Sequence, residues 1–172
     1  MECMEAIKER RSVRKFKDLT VGKEMIEELL KAAQMAPSAG NLQARDFVVV
    51  LNKTTKQKLK NAALGQSFIE QAPVVIIAVA NIERSSRVYK SRGELYAIQD
   101  ATAGIENILL AAYSMGLATC WVGAFDENAV SEILGIPKKT RPIAIIPVGY
   151  ADETPAAPPR IDMDKVVHRE AW

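Results

Sequence analysis

The sequence predicts an α+β fold, a mixed β-sheet sandwiched between helices. Three observations carry this. Segments of helical period alternate with short runs rich in β-branched residues along the whole chain. One of those runs, Val74–Ala80, is apolar at every position, as in a strand covered on both faces. The chain has 172 residues, enough for one domain with a substantial core. It reads as a single domain over residues 1–172, with 150–172 as a tail.

A short helix is expected over about Glu2–Arg10, with Met4 and Ile7 apolar, followed by an extended stretch Ser12–Phe16. Thr20 is placed to cap a helix running to about Ala36, with Met25, Ile26, Leu29, Leu30 and Ala33 on its apolar face. Pro37 stops it, because the residue before a proline avoids helix. Phe47–Leu51 reads as a strand. A helix decorated by Lys53, Lys56, Lys58 and Lys60 follows to about Leu64, and Ser67 opens a short turn to Ala72. After the Val74–Ala80 strand, the polar and basic segment Asn81–Gly93 reads as a loop or lid. A long central helix spans Glu94–Met115, its stripe formed by Leu95, Ile98, Thr102, Ile105, Leu109 and Ala112 and widened by Ala101, Ile108 and Met115. Gly116 ends it. Leu117–Val122 is a strand candidate, Asp126 caps a short helix closing at Gly135, and Pro142–Gly149 is the last strong strand. The tail Ala151–Trp172 holds Pro155, Pro158 and Pro159 and builds no core of its own. Val166, Val167 and Trp172 give it something to bury, on its own body or on a partner subunit.

Composition excludes several functions. Charge is nearly balanced, 23 Lys+Arg against 21 Asp+Glu, so bulk charge gives no sign of nucleic-acid binding. No apolar run is long enough to cross a membrane, and the first ten residues do not read as a secretion signal, so the cytoplasm is the expected location. Cys3, Cys120 and His168 are the only cysteines and histidine, at no metal-ligand spacing. Acid/base catalysis by His168 is an unlikely engine, and a borrowed cofactor is the better expectation. Neither a GxGxxG nor a phosphate-loop lysine motif is present.

Three constellations remain. Arg10, Arg11, Ser12 and Arg14 form a dense anion site. In an extended stretch Arg10, Ser12 and Arg14 share one side and Arg11 the other. A solvated basic patch is the plain alternative. Pro37, Ser38, Ala39, Gly40, Asn41 and Gln43 offer short polar groups and an approachable backbone, as well as being ordinary turn formers. Thr119–Phe125 brings Gly123 and Ala124 to a strand end, where ligands bind in helix-flanked sheets.

Together these segments resemble the FMN-dependent nitroreductase family. The matching stretches are Arg10–Phe16, Ala36–Gln43, Gln99–Ala112 and Gly116–Phe125, in the family's order. The resemblance implies a nitroreductase-like intertwined homodimer with FMN at the interface. It assigns Arg10, Ser12 and Arg14 to the phosphate, ribityl chain and ring edge, with Arg11 a recurrent basic neighbour. Pro37, Ser38, Ala39 and Asn41 would come from the partner, and Val122, Gly123 and Ala124 would bring a backbone N–H to flavin N5. Arg160 would reach the phosphate from the tail, and Gln66 the pyrimidine edge. NAD(P)H would donate electrons, and a nitroaromatic, quinone or similar small molecule would accept them. A cation such as Arg14 would stabilise charge near N1. The short segment 81–93, with Arg84, Arg87, Lys90 and Arg92, would be the lid, drawing an anionic substrate or simply facing solvent. A flavin-binding sensor or storage module, or a small anion-binding domain without flavin, are the competing readings.

Overall fold

The computed structural model describes residues 2–172. Its elements are α1 (Cys3–Glu9), α2 (Lys23–Gln34), β1 (Arg45–Val50), α3 (Lys53–Ala62), α4 (Phe68–Gln71), β2 (Val74–Ala80), α5 (Ile82–Tyr89), α6 (Gly93–Ser114), β3 (Ala118–Thr119), α7 (Glu127–Leu134) and β4 (Arg141–Gly149). The sheet order is β1-β2-β4-β3, and each of its ladders is antiparallel. The parallel element that makes the sheet mixed is a single bridge, Ser12 to Thr119.

Strand alternation explains the layers. Val75, Ile77, Val79 and Ile145 face one side and pack with Leu59, Phe68, Ile69 and Val130 of α3, α4 and α7. Val74, Ile76, Ala78 and Ile146 face the other and pack with Leu29, Ala33, Ile105 and Ile108 of α2 and α6. Every residue of β2 is buried, so its unbroken apolar run is what two covered faces demand.

Local signals account for most element ends. Asp126 accepts from the N–H groups of Asn128 and Ala129 and opens α7, while Gly135, at φ 65°, closes it. Gly116, at φ 76°, follows α6. The start of α2 differs from the expectation: its N-cap is Gly22, not Thr20, so the helix begins two residues later and without a side-chain cap.

Segment 81–93 is the main correction. It is not a loop but α5 followed by a 3-10 turn, Lys90–Arg92. The Asn81 side chain caps the helix by accepting from the Arg84 N–H. Gly93 lets α5 pack tightly on α6, since a Cβ there would lie 2.5 Å from Ser86 Cα. The second half of the central helix buries the expected Ile105, Ile108, Leu109 and Ala112, while its first half is turned relative to the expected stripe. Ala97, Asp100, Ala101, Gly104, Ile105, Ile108, Leu109 and Ala112 are buried, whereas Leu95 and Thr102 are exposed. Small residues select that face because they admit β1 and α2 closely; a Cβ on Gly104 would come 3.4 Å from the Ala33 carbonyl oxygen. The Leu117–Val122 strand is shorter than expected, being β3 plus an isolated pairing of Val122 with Ile145. Residues 156–172 are exposed throughout, so the tail does not bury its apolar groups on its own body.

Candidate flavin-binding site

The arginine stretch is held between two backbones. Val13 N–H donates to Thr119 O at 2.9 Å on one side. On the other, Lys17 N–H donates to Tyr150 O and Asp152 N–H to Lys15 O, each at 2.9 Å. The Arg14 N–H donates to Glu153 Oε1, which ties the start of the tail to the same stretch. The result is a cavity of about 390 Å³ lined by Arg10, Arg11, Ser12, Arg14, Pro155, Ala156, Pro158 and Arg160. Four of the residues expected to hold an anion therefore meet with Arg160, which is more than a hundred positions away in sequence.

Within this cluster the arginines differ. Arg11 folds back on the end of α1, donating to Lys8 O at 2.7 Å and Arg10 O at 2.9 Å, with Glu9 3.8 Å away. It completes the helix terminus, where four carbonyls lack helical partners. Among the described residues, Arg10, Arg14 and Arg160 form no ion pair with a carboxylate. Convergent guanidiniums that pair with no carboxylate fit a phosphate from outside. The Cys120 thiol lies beside them. Burial pushes its pKa up, and Arg14, a Ser12 hydrogen bond and Arg10 pull in the opposite direction.

A second cavity of about 340 Å³ lies on the other flank of the same stretch, lined by Arg10, Arg11, Val13, Tyr113, Leu117, Glu153 and Thr154 among others. Its acid–base mixture of Glu9, Glu153, Arg10 and Arg11 makes it a poorer anion site than the first.

Val122 is committed to the sheet through both of its backbone bonds to Ile145, at 2.9 and 3.0 Å. Gly123 and Ala124 then leave the sheet and are exposed, and neither N–H donates to a backbone carbonyl among the described residues. Gln66 closes on this turn, its Nε2 donating to Ala63 O at 2.9 Å and Ala124 O at 3.2 Å. Val122 lies three residues after Thr119, so this turn and the arginine cavity share one sheet edge, roughly 10 Å apart.

The Pro37–Gln43 loop lies elsewhere. It leads into β1, the opposite edge strand, and the pairing row of Thr119 falls at the far end of β1 from Arg45. Three strand spacings and six residues of rise separate them, about 14 Å across and about 20 Å along the sheet. None of Pro37, Ser38, Ala39 or Asn41 lines the arginine cavity. The loop is a 3-10 turn, Ala39–Asn41, with left-handed backbone at Gly40, Asn41 and Gln43. Ser38 Oγ accepts from Gln43 N–H at 3.0 Å, and Gln43 Nε2 donates to Asn41 O and Oδ1, both at 3.3 Å.

Sequence reasoning missed two features around that loop. Arg45 and Asp100 form a buried ion pair beneath it, with side chains 0% and 2% exposed. A lone acid on the small-residue face of an apolar helix was the available signal. Tyr89 of α5 is the other: a Cβ on Gly40 would lie 2.6 Å from its hydroxyl. The basic residues of that region are largely engaged. Arg84 donates to Asp46 Oδ1 at 2.9 Å, Arg87 to Glu83 Oε1 at 3.3 Å, and Arg92 Nε to the Tyr96 hydroxyl at 2.8 Å.

Known proteins share the sequence and the fold of this chain. The model of the family described as "Nitroreductase family" matches residues 7–67 and 61–150. A Methanothermobacter thermautotrophicus protein, named provisionally as an NADH dehydrogenase/NAD(P)H nitroreductase, is 34% identical over 100% of this chain and 88% of its own. The Bacillus subtilis FMN reductase [NAD(P)H] is 28% identical, with coverage of 99% and 74%. Among solved structures, the Vibrio harveyi NADPH:FMN oxidoreductase in complex with NAD+ superposes with a TM-score of 0.92 at 26% identity, covering 99% of this chain and 77% of that one. With the motifs in order and the fold in common, the chain belongs to the nitroreductase family.

Proposed function

We propose that the acceptor is a nitroaromatic, quinone or related small molecule, and that each active site is assembled from two copies of the chain. The chain is an NAD(P)H-dependent flavin oxidoreductase, with FMN as its cofactor. One observation carries the placement of that cofactor: Ser12 and the carboxylate-free guanidiniums of Arg10, Arg14 and Arg160 converge on one cavity. A phosphomonoester fits this donor set, because arginine offers paired N–H groups and Ser12 a hydroxyl.

When bound, FMN supplies reversible hydride chemistry that the side chains of this protein lack. The chain's own residues bind and orient. Arg10, Ser12 and Arg160 anchor the phosphate end, and Arg11 holds the helix end beside them. Arg14 favours negative charge on the ring edge. The free N–H groups of Gly123 and Ala124, about 10 Å along the same edge, are available to the ring, with Gln66 beside them. Val122 fixes the start of that turn through the sheet.

Distance supports the dimer. Pro37, Ser38, Ala39 and Asn41 lead into the opposite edge of the sheet from Thr119, the pairing partner of Ser12, about 25 Å away on the diagonal of the strand spacings. Within one chain they meet no part of the arginine cavity, which supports their coming from a second copy. The exposed apolar residues of the tail, Ile161, Met163, Val166, Val167 and Trp172, give that copy a surface to cover. No helix is long and apolar enough to cross a membrane among the described residues. The test is turnover of NAD(P)H with a panel of nitroaromatic and quinone acceptors by the flavin-loaded protein. Saturable, acceptor-dependent oxidation supports the reading, and oxidation that is independent of every acceptor overturns the acceptor class.

A further inference from the structure

We infer that Arg45 and Asp100 are positioning residues for the Pro37–Gln43 loop, clamping both of its ends to one buried ion pair. The inference rests on the reading that this loop lies along the flavin. Upstream of the loop, Arg45 Nη2 donates to Gln34 O at 2.9 Å and to Ala36 O at 2.7 Å, and Nη1 approaches Pro37 O at 3.4 Å. Gln34 O is one of the carbonyls that the end of α2 leaves without a helical partner, and Ala36 O and Pro37 O lie just beyond that end. Downstream, Asp100 Oδ2 accepts from the Ala44 N–H, while Oδ1 binds the Arg45 guanidinium. The chain from α2 carbonyl to guanidinium to carboxylate to Ala44 amide closes a ring around the loop. That ring sets the distance between residues 37 and 44.

The loop needs such a hold. Asn41 at φ 54° and Gln43 at φ 49° are non-glycine residues in left-handed backbone, which persists only where surroundings over-determine it. The Tyr89 hydroxyl blocks the loop's outer side at Gly40. Stability alone is a weak reason for the pair, since apolar residues of similar volume usually replace a buried ion pair without loss. Arg45 Nε is the one buried side-chain polar atom without a partner among the described residues, so the guanidinium is not placed for its own best bonding. It is placed to reach the two carbonyls ahead of the loop and that of Pro37, its first residue. Gly104 makes room for it, as a Cβ there would lie 3.1 Å from Arg45 Cδ.

The test is a cycle of variants on the full chain, read by FMN affinity. Arg45→Met/Asp100→Leu removes both charges at similar volume. It should melt cooperatively, bind FMN at least tenfold more weakly, and abolish the further loss that Asn41→Ala causes in the native background. In the flavin-free chain, hydrogen exchange at Ala44 should speed up at least a hundredfold while Ile76–Ala80 stay protected. If the double variant does not fold, Gly104→Ala serves, displacing the Arg45 stem while keeping the charges; a smaller loss of affinity with the same loss of Asn41 coupling is expected. Unchanged FMN affinity in either folded variant, or full additivity with Asn41→Ala, overturns the inference while leaving the flavin reading intact. A native chain that binds no FMN overturns the flavin reading itself.

Discussion

Replacing Arg10 and Ser12 together with alanine removes a cation and a hydroxyl from the arginine cavity. Both side chains are half-buried, and Arg10 pairs with no carboxylate among the described residues, so nothing charged is stranded by the change. A hydrogen bond to a charged group contributes about 1.5–3 kcal/mol, and solvent access favours the lower end of that range. Taking about 1.5 kcal/mol for Arg10 and about 1 kcal/mol for Ser12, the loss is about 2.5 kcal/mol, or roughly 70-fold in Kd. The assay is titration of flavin-free protein with FMN, followed by quenching of flavin fluorescence. Riboflavin, which lacks the phosphate, is the control and should bind the native protein and the variant alike. The native affinity for FMN should also fall with added salt, and the variant's should fall less. An FMN Kd within threefold of the native value, in a variant that melts normally, would show that the phosphate lies elsewhere.

Further outcomes follow from the same structure. Cys3 is exposed and Cys120 buried, so a thiol reagent should modify Cys3 rapidly in the native protein and Cys120 only on unfolding. Because burial raises the Cys120 pKa in the folded chain, the unfolded chain gives up that proton first as pH rises. The stability Cys120 contributes is then full below the ordinary thiol range and falls as pH climbs through it, which urea melts of native and Cys120→Ala protein at neutral and alkaline pH will show. Gly93→Ala should destabilise by roughly 2–3 kcal/mol and part α5 from α6, because its Cβ meets Ser86 backbone; a melting temperature unchanged from native would contradict that packing. Truncation after Ala151 should remove Arg160 and the exposed apolar tail, lowering FMN affinity and shifting the chain from dimer to monomer in sedimentation; a truncated chain that stays dimeric would show that the tail is not what joins the copies.

Much of the fold was legible because single residues carried unambiguous signals. Val74–Ala80 declared a strand covered on two faces, Asp126 and Gly135 marked both ends of α7, and Gly116 marked the end of α6. Segment 81–93 was misread because its polarity hid an amphipathic helix, whose buried contacts are Ser85 and the Gly93–Ser86 approach rather than large apolar residues. The first half of the α6 stripe differs for a related reason. Leu95 and Ile98 outweigh Ala97 and Gly104 in hydrophobicity, yet it is the small residues that admit β1 and α2. In the site, the arginine motif was readable because its residues are adjacent and share one charge. Arg45 and Asp100 were not, since they are more than fifty positions apart and only the folded chain brings them together.

The absorbance spectrum of the purified protein, before and after NADH or NADPH is added without oxygen, decides whether the chain carries a redox-active FMN. A yellow protein is expected, or one that takes up added FMN in equal proportion to chains, with a flavin band that bleaches on addition of the nicotinamide and returns when a nitroaromatic or quinone is supplied. A colourless protein that leaves added FMN free in solution would contradict that expectation.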